Sequence, residues 1–315
     1  MQYIDKHTNK AAGNQVTLDY LNTHCKDASG HYSNIQYRSD DSSLPSFIAS
    51  GTPSYYNRMV DVLMTDQNGR CCYCLRRLQT GTPPSNADAK ITIEHIIPCS
   101  FDHNRHADAD EYRNFVGNMQ NVELTDVFES KSGAQSMPPY PHSVAYDNMV
   151  VSCNGTFPAI REGGHANTQI CCNHKRGVER ALPVYFLHDI ADNVDYLKTG
   201  DVQANPSSLQ CNEIDEVIQK TALGCDSLKD IRRIWYELSA IDKREIMQCD
   251  TEDKREAILN NAFSNTLALT KPIETARIVA KFKRQDYWDT LMLYDVFYDI
   301  MKAKYRTPAP KIVAK

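Results

Sequence analysis

Cys71 and Cys74 in "RCCYC" have the C-x-x-C spacing in which a tight turn aims two thiolates at one metal ion. Cys72 is one residue too close to Cys74 to share that geometry. A second pair must close a tetrahedral site. The candidates are Cys153, at the end of "MVVSC", and Cys172, in "ICCNHKRG", with Cys171 able to stand in for Cys172; the alternative is that these cysteines are simply small buried apolar side chains. Four thiolates around Zn²⁺ leave no open coordination position, so such a site is structural. A second constellation lies in "ITIEHIIPCS", where Glu94 stands directly before His95 and Pro98 follows. A carboxylate beside an imidazole can serve hydrolytic chemistry or can be an ordinary strand end with two polar residues. In a regular strand the two side chains point to opposite faces, so both reach one site only if the strand stops there.

The elements that must position these residues are legible in outline. In "SYYNRMVDVLMTDQNG", Tyr55, Met59, Val62 and Leu63 share one helical face, with Ser54 as N-cap and Gly69 as the stop; this helix delivers the chain to "RCCYC". Residues 70–180 hold short strands and turns, interrupted by "FDHNRHADADEYRNF" and by "SKSGAQSMPPYPHS". From Leu182 the pattern is helical to the end. In "SLKDIRRIWYEL", Leu228, Ile231, Ile234, Trp235 and Leu238 form a stripe behind a Ser227 cap, and Thr251 opens another helix. The last helix, "DYWDTLMLYDVFYDIMKAKY", is apolar on more than one face and must be buried in this chain or covered by a partner. The expected division is a polar N-terminal arm over 1–53 with a short helix from Val16 to Leu21, a metal-binding domain over 54–181, and an all-α domain over 182–315, giving an α+β chain.

The bulk numbers narrow the function. With 315 residues, 41% hydrophobic and 24% charged, the chain has the composition of an ordinary globular protein. A net charge of −5 excludes nucleic-acid binding through overall charge, so phosphate contacts have to come from local patches or from a partner. Neither a leader-like N-terminus nor a long apolar run is present, and the expectation is a cytoplasmic protein without membrane contact. Eleven cysteines in that setting read as thiols or metal ligands, and the glycosylation pattern at Asn154-Gly155-Thr156 as silent.

The order C-x-x-C, "EHIIP", "YDNMVVSC" and "CCNHKRG" resembles that of the HNH endonucleases, the ββα-metal family. Over residues 54–180 the chain looks like the HNH nuclease subunit of Septu-type and retron-linked antiphage systems. The resemblance implies a ββα-metal core with a structural zinc, flanked by helical regions, and phosphodiester hydrolysis of DNA. It implies His95 as general base, Glu94 and Asn173 as ligands of a catalytic Mg²⁺ or Mn²⁺, and Asn148 as a brace for the loop holding His95. His174 is the rival of Asn173, because "CCNH" permits a shift of one residue. It further implies an ATPase subunit as partner.

Lys175 and Arg176 can hold a neighbouring phosphate, or can be a solvated basic turn, as can Arg76 and Arg77. A non-catalytic, zinc-stabilised binding module and a stand-alone restriction or homing nuclease are the competing readings.

Overall fold

A computed structural model describes residues 1–39, 41, 44–78, 91–99, 106–117, 124, 127–128, 140–157, 170–177, 179–264 and 272–306. The polar stretch after Ser130 and the basic end beyond 306 lie outside them. Mixed α+β architecture is observed. The helices are α1 (Lys10–Tyr20), α2 (Tyr55–Asp66), α3 (His106–Val116), α4 (Cys172–Arg176), α5 (Cys211–Lys220), α6 (Asp226–Leu238), α7 (Lys243–Met247), α8 (Glu252–Ser264), α9 (Pro272–Phe282), α10 (Gln285–Met292) and α11 (Val296–Tyr305), with single turns between some of them. The strands are β1 (Ile91–His95), β2 (Val127–Phe128), β3 (Tyr140–Pro141), β4 (Met149–Cys153), β5 (Val194–Tyr196) and β6 (Val202–Ala204). They pair two by two: β1 with β4 and β5 with β6 antiparallel, β2 with β3 parallel.

Helix α2 forms where its sequence says it must. Ser54 accepts a hydrogen bond from Asn57 N at 3.2 Å, Tyr55, Met59 and Leu63 are buried, and Gly69 at φ +67 ends the segment by donating its N–H to Met64 O. The chain then makes the C-x-x-C turn, closed by Cys71 N to Arg76 O at 2.9 Å. Pairing β1 against β4 sets Ile91 opposite Cys153 and His95 opposite Met149, so Cys153 and the histidine sit at opposite ends of one two-stranded ribbon.

Residues 1–53 are not a separate polar arm. Ile4, Tyr20 and Phe47 are fully buried in the common core, Ile4 N donates to Tyr185 O at 3.0 Å, and Thr17 Oγ1 donates to Val144 O at 2.8 Å. Helix α1 begins well before Val16 and continues into a π-helical turn at Leu21–Cys25. It can lie against Tyr146 because Gly13 has no side chain; a Cβ there would fall 2.1 Å from the tyrosine ring. Lys6 is fully buried, donating to Met149 O at 3.0 Å and to Asp66 at 3.4 Å over the Tyr146 ring. The polar letters of this segment are spent on buried, paired contacts, which composition alone does not reveal.

The C-terminal part is mostly helical but not all-α, because the β5–β6 hairpin lies within it. The stripe on α6 is buried as expected, although its N-cap is Cys225 and Ser227 lies inside the first turn. The apolar final segment is two helices. Between them, Leu293 O accepts from Arg77 N at 2.7 Å and Asp295 takes both Arg70 and Arg77. Opening the helix there docks it on the cysteine turn. Tyr287, Trp288, Leu291, Phe297 and Met301 are buried within the chain itself, so its own core covers those faces.

Candidate functional site

Cys71, Cys74, Cys153 and Cys172 converge: all four are buried, and their Sγ atoms lie within 4.8 Å of one another. Cys74 Sγ and Cys153 Sγ are 3.6 Å apart. With Zn–S bonds of about 2.3 Å, a tetrahedron of sulfurs has edges of about 3.8 Å, so this donor set fits a structural metal. Burial pushes thiols up, yet hydrogen bonds from the neighbouring sulfurs outweigh it at Cys71 and Cys74; Cys71 is held well below the usual thiol range and Cys74 at about 5. Arg76 contributes positive charge from the side, buried beside the sulfurs with Nη1 donating to Thr156 O at 2.9 Å. Arg76 is therefore not a solvated basic turn, whereas Arg77 stays exposed while pairing with Asp295.

Local backbone brings the last ligand in. Gly155, at φ +71, passes so close to Cys171 that a Cβ would meet its carbonyl oxygen at 1.9 Å. Cys172 adopts φ +57, a left-handed conformation unusual for a side chain of its type, and its N–H is tied to Thr221 O at 2.8 Å. Cys171 also stays near, its Sγ 3.3 Å from that of Cys172, but the four-membered group is the one containing Cys172.

At the other end of the ribbon, β1 stops at His95, and the alternation of the strand sends Glu94 and His95 different ways. His95 is half-buried. Its Nε2 lies 3.1 Å from Ser143 O, and because a carbonyl only accepts, Nε2 carries the proton and Nδ1 keeps its lone pair. The ring packs edge-on against Tyr37 with centroids 4.6 Å apart. Burial holds the imidazolium down, to a pKa of about 3, so the neutral form prevails at ordinary pH. Asn148, fully buried in the turn just before β4, accepts from Ile97 N at 2.7 Å and donates to Ile97 O at 3.0 Å and His142 O at 2.6 Å. It thereby clamps the turn after His95 to the turn that presents Ser143.

Glu94 goes to the opposite side. Its Oε1 takes the guanidinium of Arg176 and the hydroxyl of Tyr73 at 3.0 Å, and both side chains of the ion pair are only 3% exposed. Arg176 also donates to His95 O at 3.1 Å and, through Nε, to Glu179 O at 3.0 Å. Its charge is committed inside the protein, so Arg176 is not a surface phosphate ligand. The sequence carries a signal for this: Arg176 lies four residues after Cys172, one turn along the same face, and so is drawn toward the core with it.

Asn173, half-buried, donates from Nδ2 to Thr92 Oγ1 at 3.0 Å and so faces the same side of β1 as Glu94. His174 and Lys175 are exposed on α4. The Mg²⁺ or Mn²⁺ expected between Glu94 and Asn173 does not fit these residues. The carboxylate is already neutralised by a guanidinium in a buried site, where a second cation would meet repulsion rather than a free anion.

Behind the groups that touch His95 lies a cleft of about 380 Å³, lined by Asn34, Ile35, Gln36, Tyr37, Arg38, Cys99 and Ser143. Two of these, Tyr37 and Ser143, are the groups that touch His95. Most of the wall comes from the N-terminal segment, which no motif marks. The chain matches no known family model, no curated protein and no solved structure.

Proposed function

We propose that this chain is a zinc-stabilised HNH-type endonuclease that hydrolyses phosphodiester bonds of DNA, with His95 as general base. The observation that carries the reading is the state of His95. The ring is fixed through Nε2 on Ser143 O with Nδ1 left as the acceptor, its loop is braced by Asn148, and it stands at the end of an antiparallel pair whose other end leads into a four-cysteine cluster. In the reaction, Nδ1 accepts a proton from the attacking water, whose oxygen forms the new bond to phosphorus while the bond to the leaving oxygen breaks. The buried four-cysteine donor set selects Zn²⁺ for the structural site, and with no open position that ion takes no part in hydrolysis.

The function in the cell that the resemblance supports is nuclease subunit of an antiphage complex, restrained until an ATPase subunit engages it. The net charge of −5 agrees with restraint, because such a chain has no general attraction for DNA. A non-catalytic zinc module is favoured by one observation, the engagement of Glu94 by Arg176. The two readings part in one assay: supercoiled plasmid is incubated with the chain, alone and with the product of any ATPase gene that neighbours its own, over Mg²⁺ and Mn²⁺ series. Cutting that disappears in His95→Ala at equal zinc content carries the nuclease. Absence of cutting under every condition sinks it.

A further inference from the structure

We propose that Arg38 binds a backbone phosphate of the nucleic-acid strand that enters the cleft beside His95, and that the N-terminal segment is therefore part of the substrate site. The inference rests on the nuclease reading and names the contact that reading lacks, since Arg176 is buried in an ion pair.

Arg38 is set apart by its lack of internal employment. Among the described residues it is the one arginine with neither a hydrogen bond nor an ion pair. Arg58, Arg113, Arg180, Arg244, Arg277 and Arg284 pair with carboxylates, and Arg76, Arg232 and Arg255 donate to carbonyls. A guanidinium left exposed with five unused donors, in a chain of net charge −5 rich in available carboxylates, is suited to a bidentate anion from outside. Its position is fixed. Gln36 O accepts from Phe47 N at 2.9 Å and from Tyr20 Oη at 2.8 Å, Ile48 N donates to Tyr37 O at 3.2 Å, and Ile35 is buried. The residue before it, Tyr37, is the one whose ring touches His95, so the guanidinium stands at the lip of the same cleft. A second feature of that wall also asks for a ligand: Ser143 is 3% exposed, yet its Oγ has no hydrogen-bond partner.

The test uses the full chain carrying His95→Ala, titrated into a fluorescein-labelled DNA duplex across roughly 50 to 200 mM salt. Adding Arg38→Ala is expected to weaken binding roughly tenfold and to make the slope of log affinity against log salt shallower by about 0.9, the signature of one lost phosphate contact. Arg244→Ala, an exposed arginine on α7, serves as the charge control and leaves the slope unchanged. An Arg38→Ala slope equal to that of the parent, or an equal loss in the control, overturns the assignment while plasmid cutting by the unmutated chain leaves the nuclease standing. If the parent binds no duplex and the unmutated chain cuts nothing, alone or with the product of a neighbouring ATPase gene, the nuclease reading itself fails and the Arg38 contact falls with it.

Discussion

Replacing Arg176 by methionine keeps the length of the side chain and removes its charge and all its donors. Glu94 would then remain as a buried carboxylate supported by the Tyr73 hydroxyl, and the carbonyls of His95 and Glu179 would each lose a donor. Removing one member of a buried ion pair costs about 3–5 kcal/mol, which in a chain of 315 residues is a fall in unfolding temperature of roughly 5–8 °C. The deficit carries its own pH signature. Burial already raises Glu94 above its ordinary value of 4.5 against the opposing pull of Arg176. Without Arg176 the carboxyl rises further, so the folded variant holds a proton that the unfolded chain releases. Its stability is fully present below the unfolded value and is lost as pH climbs toward the folded one, making the deficit larger at pH 8 than at pH 5. Calorimetry of zinc-loaded wild type, Arg176→Met, Glu94→Met and the double variant reads this directly. The double variant is expected to recover more than about 2 kcal/mol relative to the sum of the singles. Strict additivity, or a cost for Arg176→Met below about 1 kcal/mol, would refute the claim that the pair is a unit. Arg176→Lys is expected to fail as well, because a lysine cannot serve Glu94 and the His95 carbonyl with one planar fork.

Three further outcomes follow from the geometry. Gly155→Ala has to move backbone rather than a side chain, since its Cβ would meet Cys171 O at 1.9 Å; loss of bound zinc by metal analysis is expected, and a fully loaded variant would count against the role given to that close approach. Asn148→Ala leaves the Ile97 N–H and two carbonyls without their partner and is expected to lower stability by about 3 kcal/mol and nuclease rate with it, while Asn148→Asp, which turns a carboxylate oxygen toward those carbonyls, is expected to be worse; equal behaviour of the two variants would contradict the clamp. Lys6, depressed by burial to about 8 against an ordinary 10.5, binds fewer protons folded than unfolded between those values, so its penalty is full below pH 8 and fades toward pH 10.5. Urea unfolding should therefore show wild type gaining on Lys6→Met across that window, by an amount on the order of 3 kcal/mol, and a constant difference would exclude the buried charge.

Some of this was legible in the sequence, and the reasons are local. The C-x-x-C turn and the α2 cap are written in contiguous residues, and Cys153 and Cys172 follow from the demand of a tetrahedral site for four donors. The clamp made by Asn148 joins segments about fifty residues apart, yet the motif order was enough to point at it. What could not be seen was the employment of polar side chains. Lys6, Arg76 and Arg176 are charged letters in polar surroundings, and only the fold reveals that each is buried against a partner. The N-terminal segment shows the same limit: Ile4, Val16, Tyr20, Leu21, Ile35 and Phe47 are buried among its polar letters, and that is enough to seat it on the core.

The adjacency of Glu94 and His95 acquires its meaning from the period of a strand. Because neighbouring side chains leave β1 on opposite faces, the two residues divide the labour rather than share it. Glu94 faces Tyr73, Thr92, Asn173 and Arg176, a buried polar seam that joins β1 to the helix carrying Cys172. His95 faces Tyr37 and Ser143, on the side where the cleft opens. Arg176 connects the two sides by holding the His95 carbonyl with the same nitrogen that meets Glu94, so the position of the imidazole depends on an ion pair it never touches. The arrangement links the four-cysteine cluster at the far end of the ribbon to the backbone of His95. Cys172 opens α4, and one turn further on the same helix carries the guanidinium that holds the end of β1.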